Sequence, residues 1–295
     1  EKCTFMKSKK VPLWLCFENA DPDAEPIILI LKSGDDLRQD FLTLQLLRVM
    51  DQLWMNSMLD LRLSPYTCVS TGVNSEGEGI GMIEVVLHAN TINKIQMKFG
   101  GDKLGAFYQH TLRKYLVEFN RGTLFETAID NFIRSCAGYC VATYALGIGD
   151  RHSDNIMLSE NGRLFHIDFG HFLGNFKTKA NFKRERSPFV FTQEMSAVMG
   201  GVGTEEFQFF VQHCCDAFNV LRRFHRILFV LFLLMVPARM PELLRDKDVM
   251  YIRDRLHLEV SEDEASSMFA EEIKKTLGDK YRLVDNAIHM WKHNK

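Results

Sequence analysis

The sequence predicts an α+β chain of two lobes, a small β-rich lobe over residues 1–87 and a larger, mainly helical lobe over residues 88–295. Three features predict it. Short β-prone runs fill the first third, apolar residues fall at helical spacing after His88, and one strand links the two regions. Two lobes on a single linking strand form a hinge beside a cleft.

Residues 12–17 are a short apolar run with an aromatic, and residues 25–32 (EPIILILK) are a β-prone run that ends in a lysine. Leu37, Phe41, Leu44, Leu47 and Leu53 then recur at helical spacing behind Gly34-Asp35-Asp36, where an aspartate can cap the first turn. A Gly/Ser-rich tip at residues 72–79 leads into a third strand over 79–87. Thr123 and Glu126 have capping-box spacing. They open a long helix with Phe125, Ile129, Phe132, Ile133, Cys136, Cys140 and Tyr144 on its apolar side. A polar loop follows, then a hairpin over 155–158 and 164–168, a basic irregular loop, and helices to the end. The longest apolar run, residues 227–236, lies between Arg226 and Pro237. A bilayer crossing takes ~20 residues, so this run is expected to be a buried helix.

Composition narrows the function classes. Hydrophobic residues at 46% and charged residues at 25% give a globular balance, which excludes a disordered tail, a collagen-like fibre and a small disulfide scaffold. Lys plus Arg (36) nearly matches Asp plus Glu (38), so the chain lacks the charge excess of a nucleic-acid binder. The seven cysteines are odd in number and scattered through apolar stretches, as reduced thiols of a cytosolic-type compartment are. Cys136 and Cys140 have no companion pair at zinc spacing, which favours buried packing over metal binding. No signal peptide is visible, and an opening at Glu1 fits a piece of a longer protein.

Two short segments carry chemistry. Gly149-Asp150-Arg151-His152-Ser153-Asp154-Asn155 sets an Asp five residues before an Asn, and His166-Ile167-Asp168-Phe169-Gly170 follows within a hairpin. The first spacing is that of a protein-kinase catalytic loop, and the second segment holds an Asp where kinases bind metal. Moving a phosphoryl group from ATP needs neutralised phosphates, metal ligands and a group that receives the hydroxyl proton. Asn155 and Asp168 offer oxygens to Mg²⁺, and Asp150 or His152 can take the proton. Lys32 ends a strand and can neutralise an ATP phosphate, with Asp40 on the next helix as its pairing acid. There is no G-x-G-x-x-G loop and no Walker A sequence. Met6-Lys7-Ser8-Lys9-Lys10-Val11-Pro12 stands at the first hairpin, where basic and hydroxyl side chains can cover phosphates with backbone N–H groups.

The segments KKVPLWL, GDDLRQD, SCAGYCVATYALGIGDRHSDNIM, LFHIDFGHFLGNFK and KRERSPF together resemble the catalytic domain of phosphoinositide 3-kinases, the class I lipid kinases most closely. The likeness runs over essentially the whole chain and implies a two-lobed, protein-kinase-like fold. It implies that Ser8 and Lys10 lie in the phosphate loop, that Lys32 is the ATP-phosphate lysine, and that Asp40 and Tyr66 line an inner pocket. Glu84 and Val86 are then hinge residues that bond adenine through their backbone, and Trp14, Ile30, Ile83, Met157 and Ile167 wall the adenine slot. Each of these apolar residues also has an ordinary core reading. Spacing puts Asp150 at the base position, whereas the resemblance implicates His152, with His171 as partner for developing charge. A histidine titrates near neutral pH, which favours His152 as base and Asp150 as its organiser.

Residues 177–186 (KTKANFKRER) hold five basic residues against one acidic, just downstream of the Asp-Phe-Gly segment. A solvated loop is the bland reading. The class I likeness instead implies headgroup contacts by Lys177, Lys183, Arg184 and Arg186, with phosphatidylinositol 4,5-bisphosphate as substrate. It also implies a cytoplasmic enzyme recruited to the inner face of the plasma membrane, with a regulatory subunit and an upstream receptor or small GTPase bound through domains outside this chain. Thr67, Ala180, Ser187 and Asn286 depart from the family pattern, and Asn286 weakens the case for a membrane-facing terminal helix. A relative acting on another ring position or on a protein serine shares both motifs, and an inactive kinase-like scaffold is the reading from another class. Such a scaffold is expected to lack Lys32, Asn155 or Asp168, and all three are present.

Overall fold

A computed structural model describes residues 2–6, 10–100, 110–175 and 188–278, together with the backbone of 178–179 and 182–183. The chain divides into two compact units, Glu1–Leu47 with Pro65–Leu87, and Arg48–Ser64 with His88–Lys295.

The first unit is an antiparallel sheet with a helix. Strands β1 (Thr4–Phe5), β2 (Leu13–Phe17), β3 (Ile27–Ser33), β4 (Cys68–Val73) and β5 (Gly79–Glu84) lie in the order β1-β2-β3-β5-β4. All three runs expected to be strands are strands. After β3 the chain turns at Gly34, whose φ of 93° suits glycine, and the Gly34 N–H donates to the Gly79 carbonyl at 2.8 Å. A Cβ on Gly79 would lie 2.6 Å from the Asp35 carbonyl oxygen, so that close approach also requires glycine.

Helix α1 (Arg38–Asn56) begins as expected, with an aspartate at its start. The Asp36 carboxylate accepts the Arg38 N–H at 3.1 Å and grips the same residue's guanidinium at 2.9 and 2.6 Å. That grip holds the Asp36 carboxyl below its usual range. Leu37, Leu44, Leu47 and Leu53 are buried. Phe41 is not; at 100° per residue it falls on the exposed stripe with Gln45, Gln52 and Met55.

Residues 48–64 belong to the second unit, where a single cut after Leu87 would not put them. The Trp54 indole N–H donates to the Ala217 carbonyl at 2.9 Å, and Arg62 bonds Asp130 at 2.8 Å and Asn131 at 2.6 Å. The second unit is built around helix α4 (Thr123–Leu146), in which every residue from Asn131 to Leu146 except Arg134 is buried. Its start corrects the capping-box expectation. The cap is Gly122 at φ 56°, with no side-chain cap bond, because backbone bonds from Leu124 to Arg121 and from Phe125 to Gly122 already close the first turn. Around it stand α2 (Ile92–Phe99), α3 (Thr111–Phe119), α5 (Gln193–Val198), α6 (Glu205–Arg223), α7 (His225–Met235), α8 (Asp246–Leu256) and α9 (Glu262–Leu277). Strands β6 (Ala89–Thr91), β7 (Ile156–Ser159) and β8 (Leu164–His166) form a small antiparallel sheet, and β9 (Thr178–Lys179) pairs with β10 (Phe182–Lys183). Stacked Phe189 and Phe269, 5.4 Å apart, with Tyr144 and Phe218 edge-on and tilted to Phe269, make an aromatic core.

Helix α7 corrects another expectation. The apolar run is a helix but not a buried one, since Leu228 and Phe232 are buried while Ile227, Val230, Leu233 and Leu234 are exposed. One i,i+4 edge meets the core and the rest of the circumference does not. Cys136, Cys140, Cys214 and Cys215 are buried free thiols, and burial pushes the Cys140 and Cys214 thiols up. Among the described residues no helix is long and apolar enough to cross a membrane.

Candidate active site

The two motif segments of the second unit are laced together by backbone bonds. Gly149 N–H donates to the His171 carbonyl at 3.0 Å, Leu173 N–H to Leu146 at 2.8 Å, and Gly174 N–H to Gly147 at 3.1 Å. The C-cap of α4 at Gly147, with φ 58°, delivers the chain into this lacing. Gly147 and Gly174 both sit against the Tyr251 ring of α8, which leaves no space for a Cβ at either. Phe169 and Phe172 are buried, and Phe172 stacks on Phe232 of α7 at 6.1 Å. Asp150 and Asp168 both adopt the left-handed backbone, with φ of 56° and 60°. Non-glycine residues rarely take that conformation, and it gathers where surrounding bonds enforce it.

Arg151 supplies much of that enforcement. Its Nε donates to the Gly149 carbonyl at 2.8 Å, one Nη to Ile167 at 2.7 Å, and the other Nη to the Asp168 carbonyl. Asn155 is buried; its Nδ2 donates to the Asp150 carbonyl at 2.9 Å, and its own carbonyl accepts the Ile167 N–H at 3.0 Å. That use of the amide nitrogen leaves Oδ1 for a ligand. The Asp168 carboxylate is exposed and has no ion-pair partner among the described residues. An amide oxygen and a carboxylate on adjoining segments are the donor types a hard divalent cation takes, so Asn155 and Asp168 fit Mg²⁺. Met157 in β7 and Ile167 after β8 are half-buried nearby. His166 stacks on Tyr139 at 5.2 Å, and burial holds its ring well below the usual histidine range, so it is a neutral core residue.

The two candidate histidines stand differently. His152 is exposed, and its Nδ1 accepts the Asp154 N–H at 3.2 Å, so the neutral ring carries its proton on Nε2. His171 Nδ1 lies 2.7 Å from Glu242 Oε1.

In the first unit, register places Trp14 opposite Ile30 and Ile30 opposite Ile83, so these three form one row across β2, β3 and β5. Lys32, two residues beyond Ile30, projects from the same face. Its ion pair corrects the expected one: Lys32 Nζ meets Asp35 at 3.5 Å, not Asp40. The i,i+3 turn after β3 brings Asp35 back over the strand end, whereas Asp40 is buried in the first turn of α1. Lys10 meets the same Asp35 at 3.2 Å and also bonds the Gly34 carbonyl. Tyr66 is buried. Glu84 donates its N–H to the Thr67 carbonyl and accepts the Thr67 N–H on its side chain, both at 2.8 Å. Val86 N–H has no hydrogen-bond partner among the described residues. Ser8, Lys177, Arg184 and Arg186, and the C-terminal helix expected over 279–295, lie outside the described residues. Of Lys183 the backbone is described, paired with Thr178. Sequence reasoning missed Asp35, Arg151 and Glu242; the first two lie inside or beside motifs already singled out, and Glu242 carries no local signal.

A family model described as "Phosphatidylinositol 3- and 4-kinase" matches residues 26–245, and the chain belongs to that family. It is 50% identical over 99% of its length to "Phosphatidylinositol 3-kinase 2" of Dictyostelium discoideum. It is 48% identical over 99% and 100% of its length to "Phosphatidylinositol 3-kinase 1" and "Phosphatidylinositol 3-kinase 3" of the same organism. The chain spans 16, 18 and 17% of those three proteins.

Proposed function

We propose that the protein is an ATP- and Mg²⁺-dependent lipid kinase that phosphorylates the 3-hydroxyl of phosphatidylinositol headgroups, phosphatidylinositol 4,5-bisphosphate above all. The observation that carries this is the lacing of the Asp150–Asn155 loop to Asp168 through Arg151, which ties the segment bearing the Asn155 amide oxygen to the one bearing the Asp168 carboxylate. Names of relatives that share half its residues support the lipid and the ring position. Lys32 supplies a cation to the phosphates, the row of Trp14, Ile30 and Ile83 an apolar face to adenine, and Val86 an open N–H. Asn155 and Asp168 hold Mg²⁺, which when bound neutralises phosphate charge. His152 receives the hydroxyl proton, on Nδ1 once the Asp154 N–H lets go, with Asp150 as organiser. Lys177, Lys183, Arg184 and Arg186 contact the headgroup phosphates, work done at the inner face of the plasma membrane under a regulatory subunit and a receptor or small GTPase.

Incubation of the protein with labelled ATP, Mg²⁺ and mixed phosphoinositide vesicles tests this. Label on the 3-position, strongest with the bisphosphate, is the expected result. Label at another ring position, on protein serine, or nowhere overturns it. K183A with R184A is expected to weaken use of the bisphosphate more than that of plain phosphatidylinositol, and equal losses reject the headgroup assignment.

A further inference from the structure

Glu242 lies 71 residues from His171 in sequence, yet its carboxylate grips both that ring and the backbone of the next residue. Oε1 is 2.7 Å from His171 Nδ1, and Oε2 accepts the N–H of the next residue, Phe172, at 2.6 Å. A carboxylate is acceptor only, so the hydrogen of the first bond sits on Nδ1 and Nε2 is the ring nitrogen left open to a ligand. The pair is mostly shielded, with side-chain exposures of 30% for His171 and 14% for Glu242. Glu242 is itself fixed by its turn. Met240 and Leu243 on either side of it are fully buried, Leu243 N–H donates to the Met240 carbonyl at 3.1 Å, and Pro241 restricts the backbone between. His171 in turn carries the carbonyl that holds Gly149, one residue before Asp150.

We propose that Glu242 is a positioning residue for phosphoryl transfer: its carboxylate fixes His171 in the Nδ1–H form, so that Nε2 is the nitrogen offered to the reacting groups. This rests on the kinase reading of the same site. His152 is held in the opposite sense, with Nδ1 accepting and the hydrogen on Nε2, so the two imidazoles offer unlike nitrogens. Carboxylates set imidazole tautomers in this way in hydrolytic triads, where an Asp-to-Asn change lowers kcat by about 10⁴.

E242Q in the full-length protein is the test. The amide oxygen still accepts the Phe172 N–H, but the amide nitrogen meets His171 as a donor, so Nδ1 must accept and the ring hydrogen moves to Nε2. The kcat for transfer to phosphoinositide vesicles is expected to fall at least about thirtyfold, with KM for ATP unchanged within about twofold and partial recovery in E242D. In an H171A background E242Q is expected to cost nothing more. Wild-type kcat in E242Q overturns the proposal, and so does an equal loss in the H171A background, since that loss does not pass through the ring. H171A alone keeps the Glu242–Phe172 bond and guards against an unfolded E242Q; its kcat must fall at least as far, and wild-type kcat there also overturns the proposal. A wild-type protein that labels no lipid overturns both readings, whereas an active kinase indifferent to E242Q overturns this one alone.

Discussion

Arg151 Nη1 donates to the Ile167 carbonyl at 2.7 Å, which ties the loop that carries Asp150 to the strand end that carries Asp168. The same guanidinium bonds Gly149, reaches Asp168, and lies 5.6 Å from the Phe169 ring centre. With the Asn155 carbonyl at 3.4 Å, four carbonyls are served by one planar fork, which a lysine ammonium cannot imitate. Charge-assisted bonds are worth about 1.5–3 kcal/mol each, so losing two corresponds to roughly a hundredfold or more. R151A is expected to lose at least that factor in kcat, and R151K to recover less than a tenth of wild-type activity. Steady-state kinetics on both variants checks this, and a near-normal R151K refutes the bidentate account.

His152 is exposed and bonded to its own loop, so its removal leaves the folded frame intact. H152A is expected to lose transfer by a factor of about 10² or more, the usual contribution of a general base, while ATP binding stays within about twofold. Nucleotide titration beside a transfer assay separates the two. Full activity in H152A passes the base role to Asp150.

How much of this was legible depends on how local each signal is. The strands at 13–17, 27–33 and 79–84 and the helices at 38–56 and 123–146 announce themselves through periodicity within a dozen residues. Phe41 escaped because a broad apolar stripe does not say where its edge falls, and α7 escaped because apolar residues all round a helix do not say what covers them. Asp150, Asn155 and Asp168 stand out in the sequence because their spacing matches a kinase pattern within a short stretch. Asp35 does not, since Asp35, Asp36 and Asp40 all follow Lys32 closely and only the turn geometry picks among them. Arg151 works through carbonyls, which carry no residue identity, and Glu242 works across 71 residues.

Gly147 sits at φ 58°, with the Tyr251 ring occupying the space a Cβ would need. Left-handed backbone costs a Cβ-bearing residue about 1 kcal/mol, and overpacking adds about 1–3 more. G147A is expected to destabilise the protein by roughly 2–4 kcal/mol in urea melts. Adding Y251A is expected to cost less than the sum of the two single changes, because the ring that clashes is gone. Strict additivity would show that the glycine matters for backbone freedom and for its approach to Gly174 N, 2.6 Å from such a Cβ, and not for the ring.

Lys32 and Lys10 both pair with Asp35, and these partners are roughly one-third to one-half exposed. Ion pairs so placed are worth about 0–1 kcal/mol, weak enough for phosphate oxygens to displace. K32A is therefore expected to raise KM for ATP more than about tenfold. D35N, which removes only a weak competitor, is expected to lower that KM by less than about fivefold. A rise with D35N would mean that Asp35 assists nucleotide binding.

Glu194 is 6% exposed at the start of α5, where Gln96 Nε2 donates to Oε2 at 2.7 Å and Leu112 N–H to Oε1 at 3.3 Å. Burial outweighs both bonds and pushes its carboxyl from 4.5 up to about 7. The folded state thus holds this proton more tightly than the unfolded chain does. Its contribution is complete below pH 4.5 and is lost as pH rises through about 7. At about 1.4 kcal/mol per pH unit the loss is roughly 3 kcal/mol. E194Q keeps an oxygen for Leu112 and cannot ionise, and the Gln96 amide can turn to meet its new NH₂. The variant is expected to match the wild type near pH 5 and to exceed it in stability by roughly 2–3 kcal/mol at pH 8. Urea melts across that range check the sign. A variant that is less stable at pH 8 would mean that the ionised carboxylate has a favourable partner, and the burial argument for this site would fail.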